Sequence, residues 1–143
     1  MLTSGSIDEA LKWEALTASQ RASYLKEYND AGISLVISAF GATETPTTSG
    51  EDPVTVANVM ADWVIKYSVN GIDVDYEVCT ALQKDEHATH FNFCGLQDFG
   101  AFENGRGDAE SWLIAYTQQL RERLPQDQYI ISHARTSTYV IWL

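Results

Sequence analysis

The chain has little positive charge, almost no cysteine and no long apolar run, and each shortage excludes something. Its 143 residues carry 9 Lys and Arg against 20 Asp and Glu, a formal net charge of −11. So acidic a chain suits neither nucleic acid nor an anionic membrane surface, and no partner of either kind is expected. No stretch reaches the roughly 20 consecutive apolar residues of a membrane-spanning helix. Met1-Leu2-Thr3-Ser4-Gly5-Ser6 lacks the basic start and apolar middle of an export signal, so no signal peptide is expected within the chain. The only two cysteines, Cys79 and Cys94, leave the redox compartment open. Internal repeats and low-complexity tracts are missing as well. What is there is 45% hydrophobic and 11% aromatic, enough to build the core of one domain.

Three helices and three strands alternate in the pattern. Thr17-Ala18-Ser19-Gln20 has capping-box spacing and predicts a helix to about Asn29, closed by Gly32. A largely apolar strand follows from Ile33 to Phe40, of the kind buried on both faces. Gly41 to Gly50 then reads as a loop. Asp52-Pro53 is an N-cap followed by proline at the first helical position, and Val54, Val56, Val59, Trp63 and Val64 are expected on the buried side of that second helix. The third helix starts near Asp108 and ends before Pro125, with Trp112, Leu113, Tyr116 and Leu120 on one stripe. Tyr129 to His133 reads as the last strand. Strands that alternate with helices predict an α/β fold with about three parallel strands and right-handed crossovers.

The middle strand, Ile72 to Glu77, carries the chemistry. Alternation puts Asp73, Asp75 and Glu77 on one face, about 7 Å between neighbours, and Ile72, Val74 and Tyr76 on the other. Like charges stacked this way resist ionising together, which is one means of keeping a carboxylic acid protonated near neutral pH. An amphipathic edge strand with a solvated acidic face would show the same alternation. Against that plain reading, Asn70-Gly71 launches the strand directly out of a helix, and parallel strands are normally covered on both faces.

Asn70-Gly71-Ile72-Asp73-Val74-Asp75-Tyr76-Glu77 resembles the Asp/Asn-Gly-x-Asp-x-Asp-x-Glu signature of glycoside hydrolase family 18, the chitinase family. Ser34-Leu35-Val36-Ile37-Ser38-Ala39-Phe40-Gly41 is similar to its preceding Ser-x-Gly-Gly strand, with Phe40 in place of the first of those glycines. Thr17 to Glu77 and Asp98 to Ala134 resemble fungal-type endochitinase sequence. The resemblance implies a partial catalytic domain over residues 1–143, a fragment of a (β/α)8 TIM barrel. Such a barrel typically needs about 250 residues, and the three strands would be its third, fourth and fifth. With both sheet edges and one face unpaired, the chain alone is expected to be marginally stable or aggregation-prone.

The resemblance also implies an extracellular enzyme that hydrolyses chitin, a β-1,4-linked N-acetylglucosamine polymer, with retention of configuration and without cofactor or metal. Glu77 would be the general acid and later the base. The substrate's own acetamido oxygen would be the nucleophile, oriented by Asp75, whose charge Asp73 would tune through a shared proton. Ser38 is a candidate partner for Asp73. Phe40 and Tyr76 are candidates for sugar contact, as against packing in the core. His133 is a further candidate at the same mouth, against the commoner role of a strand-end histidine with satisfied partners. Alternatives to the hydrolase are a non-catalytic, lectin-like chitin binder and a non-functional product.

Two segments depart from the family pattern. Removing Val78 to Gln97 joins Tyr76-Glu77 to Asp98-Phe99-Gly100-Ala101-Phe102-Glu103, which reads like the family's usual continuation. Because valine codons begin with GT and one glutamine codon ends in AG, the insert reads as translated intron. Competing readings are a plain surface loop, a loop stapled by a Cys79–Cys94 disulfide, and a zinc site at Cys79, His87, His90 and Cys94, a spacing that matches no common zinc pattern. The tail Arg135 to Leu143 shows none of the family's continuation after His133-Ala134.

Overall fold

The computed structural model describes residues 1–41, 44–76 and 108–134. Glu77, the Val78–Gln97 insert with its cysteines and histidines, and the tail from Arg135 lie outside the described residues.

The elements run α1 (Asp8–Ala15), α2 (Ala18–Asp30), β1 (Val36–Phe40), α3 (Pro53–Tyr67), β2 (Gly71–Asp75), α4 (Asp108–Arg123) and β3 (Ile130–His133). The strands form one parallel sheet in the order β1-β2-β3, flanked by helices and unclosed among the described residues. This is the architecture of part of an α/β barrel.

Local signals explain most of the boundaries. Thr17 caps α2 in a complete capping box with Gln20. Asp52 caps α3 by accepting from the Thr55 amide at 2.7 Å, and Pro53 occupies the first turn. β1 starts three residues later than its apolar run suggests, because the Ile33 amide donates to the Tyr28 carbonyl and belongs to the end of α2. Ile33 is left exposed. α1 is an addition to the expected elements: its N-cap, Ile7, offers no side-chain bond.

The core lies between the sheet and helices α3 and α4. Ala39, Ile72 and Val74 face Val56, Ala57, Met60, Ala61 and Val64 of α3 and Trp112, Tyr116 and Leu120 of α4. The stripe expected on α4 is in place. On α3 it is displaced: Val56, Trp63 and Val64 are buried, while Val54 and Val59 are exposed. At 3.6 residues per turn, a stripe centred on Val56, Met60, Trp63 and Val64 leaves those two valines on its flanks.

β1 likewise differs from a strand buried on both faces. Ser38 is exposed, and the face it shares with Asp73 and Ser132 is open among the described residues.

Candidate active site

The candidate site is built on β2, the central strand, and its placement begins at Asn70. The Asn70 amide donates to the Leu35 carbonyl at 2.7 Å, its Oδ1 accepts from the Leu35 amide at 2.8 Å, and its carbonyl accepts from the Ile130 amide at 2.9 Å. One residue therefore ties the start of β2 to both neighbouring strands. Gly71 follows, pressed against the Ile130 backbone so closely that a Cβ would collide with it. From there the register is set, with Ser38, Asp73 and Ser132 abreast across the sheet and Phe40 paired with Asp75.

Asp73 and Asp75 lie on the open face and are both partly buried. Ser132 Oγ donates to Asp73 Oδ1 at 2.5 Å. This hydroxyl comes from β3, not from Ser38 on β1. Ser38 instead uses its carbonyl, which accepts from the Met1 amino group at 2.7 Å. Burial lowers the pKa of that amino group, opposed by the nearby Asp8 and Glu44 charges. Ser132 carried a weak sequence signal, a polar residue inside the apolar run Ile130-Ile131-Ser132, but only the register sets it beside Asp73.

Asp75 ends β2, and its carbonyl accepts from the Gly41 amide at 2.9 Å. A Cβ added to Gly41 would stand 4.0 Å from Asp75 Oδ2, so the Asp75 carboxylate leans toward the end of β1. No ion pair among the described residues reaches either carboxylate. Together they form an acceptor pair on an open face at the C-terminal end of a parallel strand, where barrel active sites sit. Among the described residues no group of three or more His, Cys, Asp or Glu is placed to hold a metal ion.

The two aromatic candidates lie elsewhere. Simple alternation would put Phe40 on the carboxylate face, yet its φ of 75° turns the backbone, and its ring is 5% exposed on the helix side. There it packs edge-on against Tyr76, Trp112 and Tyr116, at centroid distances of 5.8, 5.7 and 5.2 Å. Tyr76 is 4% exposed, and its hydroxyl shares a 2.7 Å hydrogen bond with Thr47. Both rings therefore belong to the core that supports the strand ends rather than to the carboxylate surface. Trp112 closes this cluster with a 2.7 Å bond from Nε1 to the Glu51 carbonyl.

His133 also faces the helices. Its Nε2 lies 3.4 Å from Thr117 Oγ1 of α4. Partial desolvation of the ring pushes its pKa below the ordinary histidine range, opposed by the Asp73 charge and aided by Arg121. It is a strand-end histidine with a partner, on the face opposite the acids.

No protein-family profile and no curated protein matches the chain. Among solved structures it is similar to a GH18 chitinase from Pseudoalteromonas aurantia, with 32% identity over 76% of this chain and a TM-score of 0.55. The match covers 34% of that chitinase, so this chain spans about a third of its length. The fold of the described residues is therefore that of part of a GH18-type α/β barrel.

Proposed function

We propose that this chain carries the catalytic strand of a glycoside hydrolase acting on β-1,4-linked N-acetylglucosamine polymers, outside the cell that makes it. The observation that carries the reading is a pair of carboxylates, Asp73 and Asp75, on the open face of the central strand of a sheet folded like part of a GH18 chitinase.

In glycoside cleavage the leaving oxygen takes up a proton while positive charge develops at the anomeric carbon. Glu77 is the proton donor and afterwards the base that draws a proton from water. The nucleophile is the carbonyl oxygen of the substrate's 2-acetamido group, which attacks from the opposite side and is later displaced by water, so configuration is retained. Asp75 accepts from the acetamido N–H, which both aims the nucleophile and offsets the charge that forms on the ring. Asp73 sits one step deeper, supports Asp75 and does not touch sugar.

A Glu77→Gln substitution tests this. Hydrolysis of chito-oligosaccharides should fall by at least about a hundredfold, the scale of a lost general acid, while binding measured by calorimetry persists. Hydrolysis that survives the change would sink the proposal. Binding without hydrolysis in the unsubstituted chain would favour the lectin-like alternative.

A further inference from the structure

We propose that the outer edge of β3 is a self-association surface, on which a second copy of this chain lays its own β3 antiparallel across a two-fold axis. The pairing stands on the backbone of that edge and is independent of any sugar chemistry on the acidic face.

The two edges of the sheet differ. Along β1, the Met1 amino group donates to the Ser38 carbonyl at 2.7 Å and the Phe40 amide donates to the Met1 carbonyl at 2.8 Å, so Met1 already lies where an added strand would run. β3 carries no such cover among the described residues. Its Ile130 amide donates to the Asn70 carbonyl and the Ala134 amide to the Val74 carbonyl, which turns the alternate residues Ile131 and His133 outward. Their backbone N–H and C=O groups have no partner among the described residues. Natural edges of this kind are guarded by a charge, a proline or a bulge. Tyr129-Ile130-Ile131-Ser132-His133 contains no Lys, Asp, Glu or Pro. Apolar surface flanks the edge as well: Ile130 is exposed on the open face, and Ile114 is exposed on the stripe of α4 that reaches β3 through Thr117 and Arg121.

Charge and register choose the geometry. Two copies packed open face to open face would set Asp73 and Asp75 against their own images, which like charge opposes. Edge to edge, the acids stay one strand back from the junction, on β2. A two-fold axis at Ser132 sets Ile131 opposite His133 of the second copy, and His133 opposite its Ile131. Each pair exchanges two backbone bonds. An axis at Ile131 would need Tyr129 instead, whose amide donates to the Pro125 carbonyl and whose carbonyl accepts from Arg121. Because Met1 covers the β1 edge, association closes at two copies rather than growing into a fibre.

The test is sedimentation equilibrium of the 143-residue chain over a range of concentrations, as the parent and as His133→Pro, with far-UV circular dichroism confirming the fold. H133P removes an outward N–H and leaves the β2 ladder intact. The parent should show a reversible monomer–dimer equilibrium, and H133P should weaken it about tenfold, the order of two lost backbone bonds per dimer. Register is read by disulfide trapping in a Cys79→Ser, Cys94→Ser background. Ser132→Cys should cross-link to its own copy on oxidation, since the two Cα atoms would face each other at about 4.5 Å; Ser38→Cys, exposed on β1, should not. A parent that stays monomeric, that grows beyond the dimer, or that dimerises equally well as H133P would overturn the proposal. So would cross-linking of S38C as readily as S132C, and that pair decides alone should H133P fail to fold.

Discussion

Gly71 has no room for a side chain, because any Cβ there would run into the Ile130 backbone of the neighbouring strand. The contact is with backbone, which cannot swing aside as a side chain would. Gly71→Ala should therefore destabilise the chain by about 1–3 kcal/mol, the usual cost of overpacking, measured as a lowered urea midpoint; an unchanged midpoint would contradict the register. Residue chemistry was legible at Asp73 and Asp75, since strand alternation alone assigns them one face. It was not legible at Phe40, where a φ of 75° overrides alternation and sends the ring into the core. At Ser38 it pointed to the wrong neighbour: Ser38 and Ser132 both flank Asp73 in register, and the hydroxyl that meets the acid is that of Ser132. The choice depends on which strand's hydroxyl points at the acid.

Among the elements, α2 and α3 announce themselves by their caps, whereas α1 is held from outside. Glu14 on α1 accepts from Ser6 and, at 2.6 Å, from the Trp63 indole N–H of α3; Trp13 Nε1 donates to the Tyr67 carbonyl at 3.2 Å. Those bonds, Ser6 first and Trp63 second, lower the pKa of Glu14. A carboxylate whose folded pKa is depressed stabilises the fold above its unfolded value and loses that contribution as pH falls through the folded one. The Trp63 indole proton resonance should thus move as pH drops below the ordinary glutamate range, and Glu14→Gln should abolish the movement. A resonance indifferent to pH in the parent would rule out the tie. The same sign applies to the Asp52 cap of α3, whose pKa is lowered by its bonds from Thr55. Helicity of the Asp52→Ala variant should accordingly lose less on acidification than that of the parent. α1 escaped notice in the sequence because its ties to α3 come from residues about fifty positions away, which no local pattern encodes.

For the molecule as a whole, one face of the sheet is packed under α3 and α4 while the other carries Val36, Ser38, Asp73, Asp75, Ile130 and Ser132 without a described cover. Ile130 is 42% exposed, and Leu11, Val59, Tyr24, Tyr28 and Ile33 add further exposed apolar surface. The chain should bind a hydrophobic dye at neutral pH and melt over a broad range; a sharp melt without dye binding would refute this. Sequence by itself determined the alternation of helices and strands, the parallel order and the acidic face, because caps and two- or 3.6-residue periods are local properties. Tertiary structure alone decided that Phe40 packs in the core, that His133 turns to α4, and that Ser132 meets Asp73. Those outcomes depend on which strands lie side by side and on one turned backbone angle, and neither is written in any short stretch of residues.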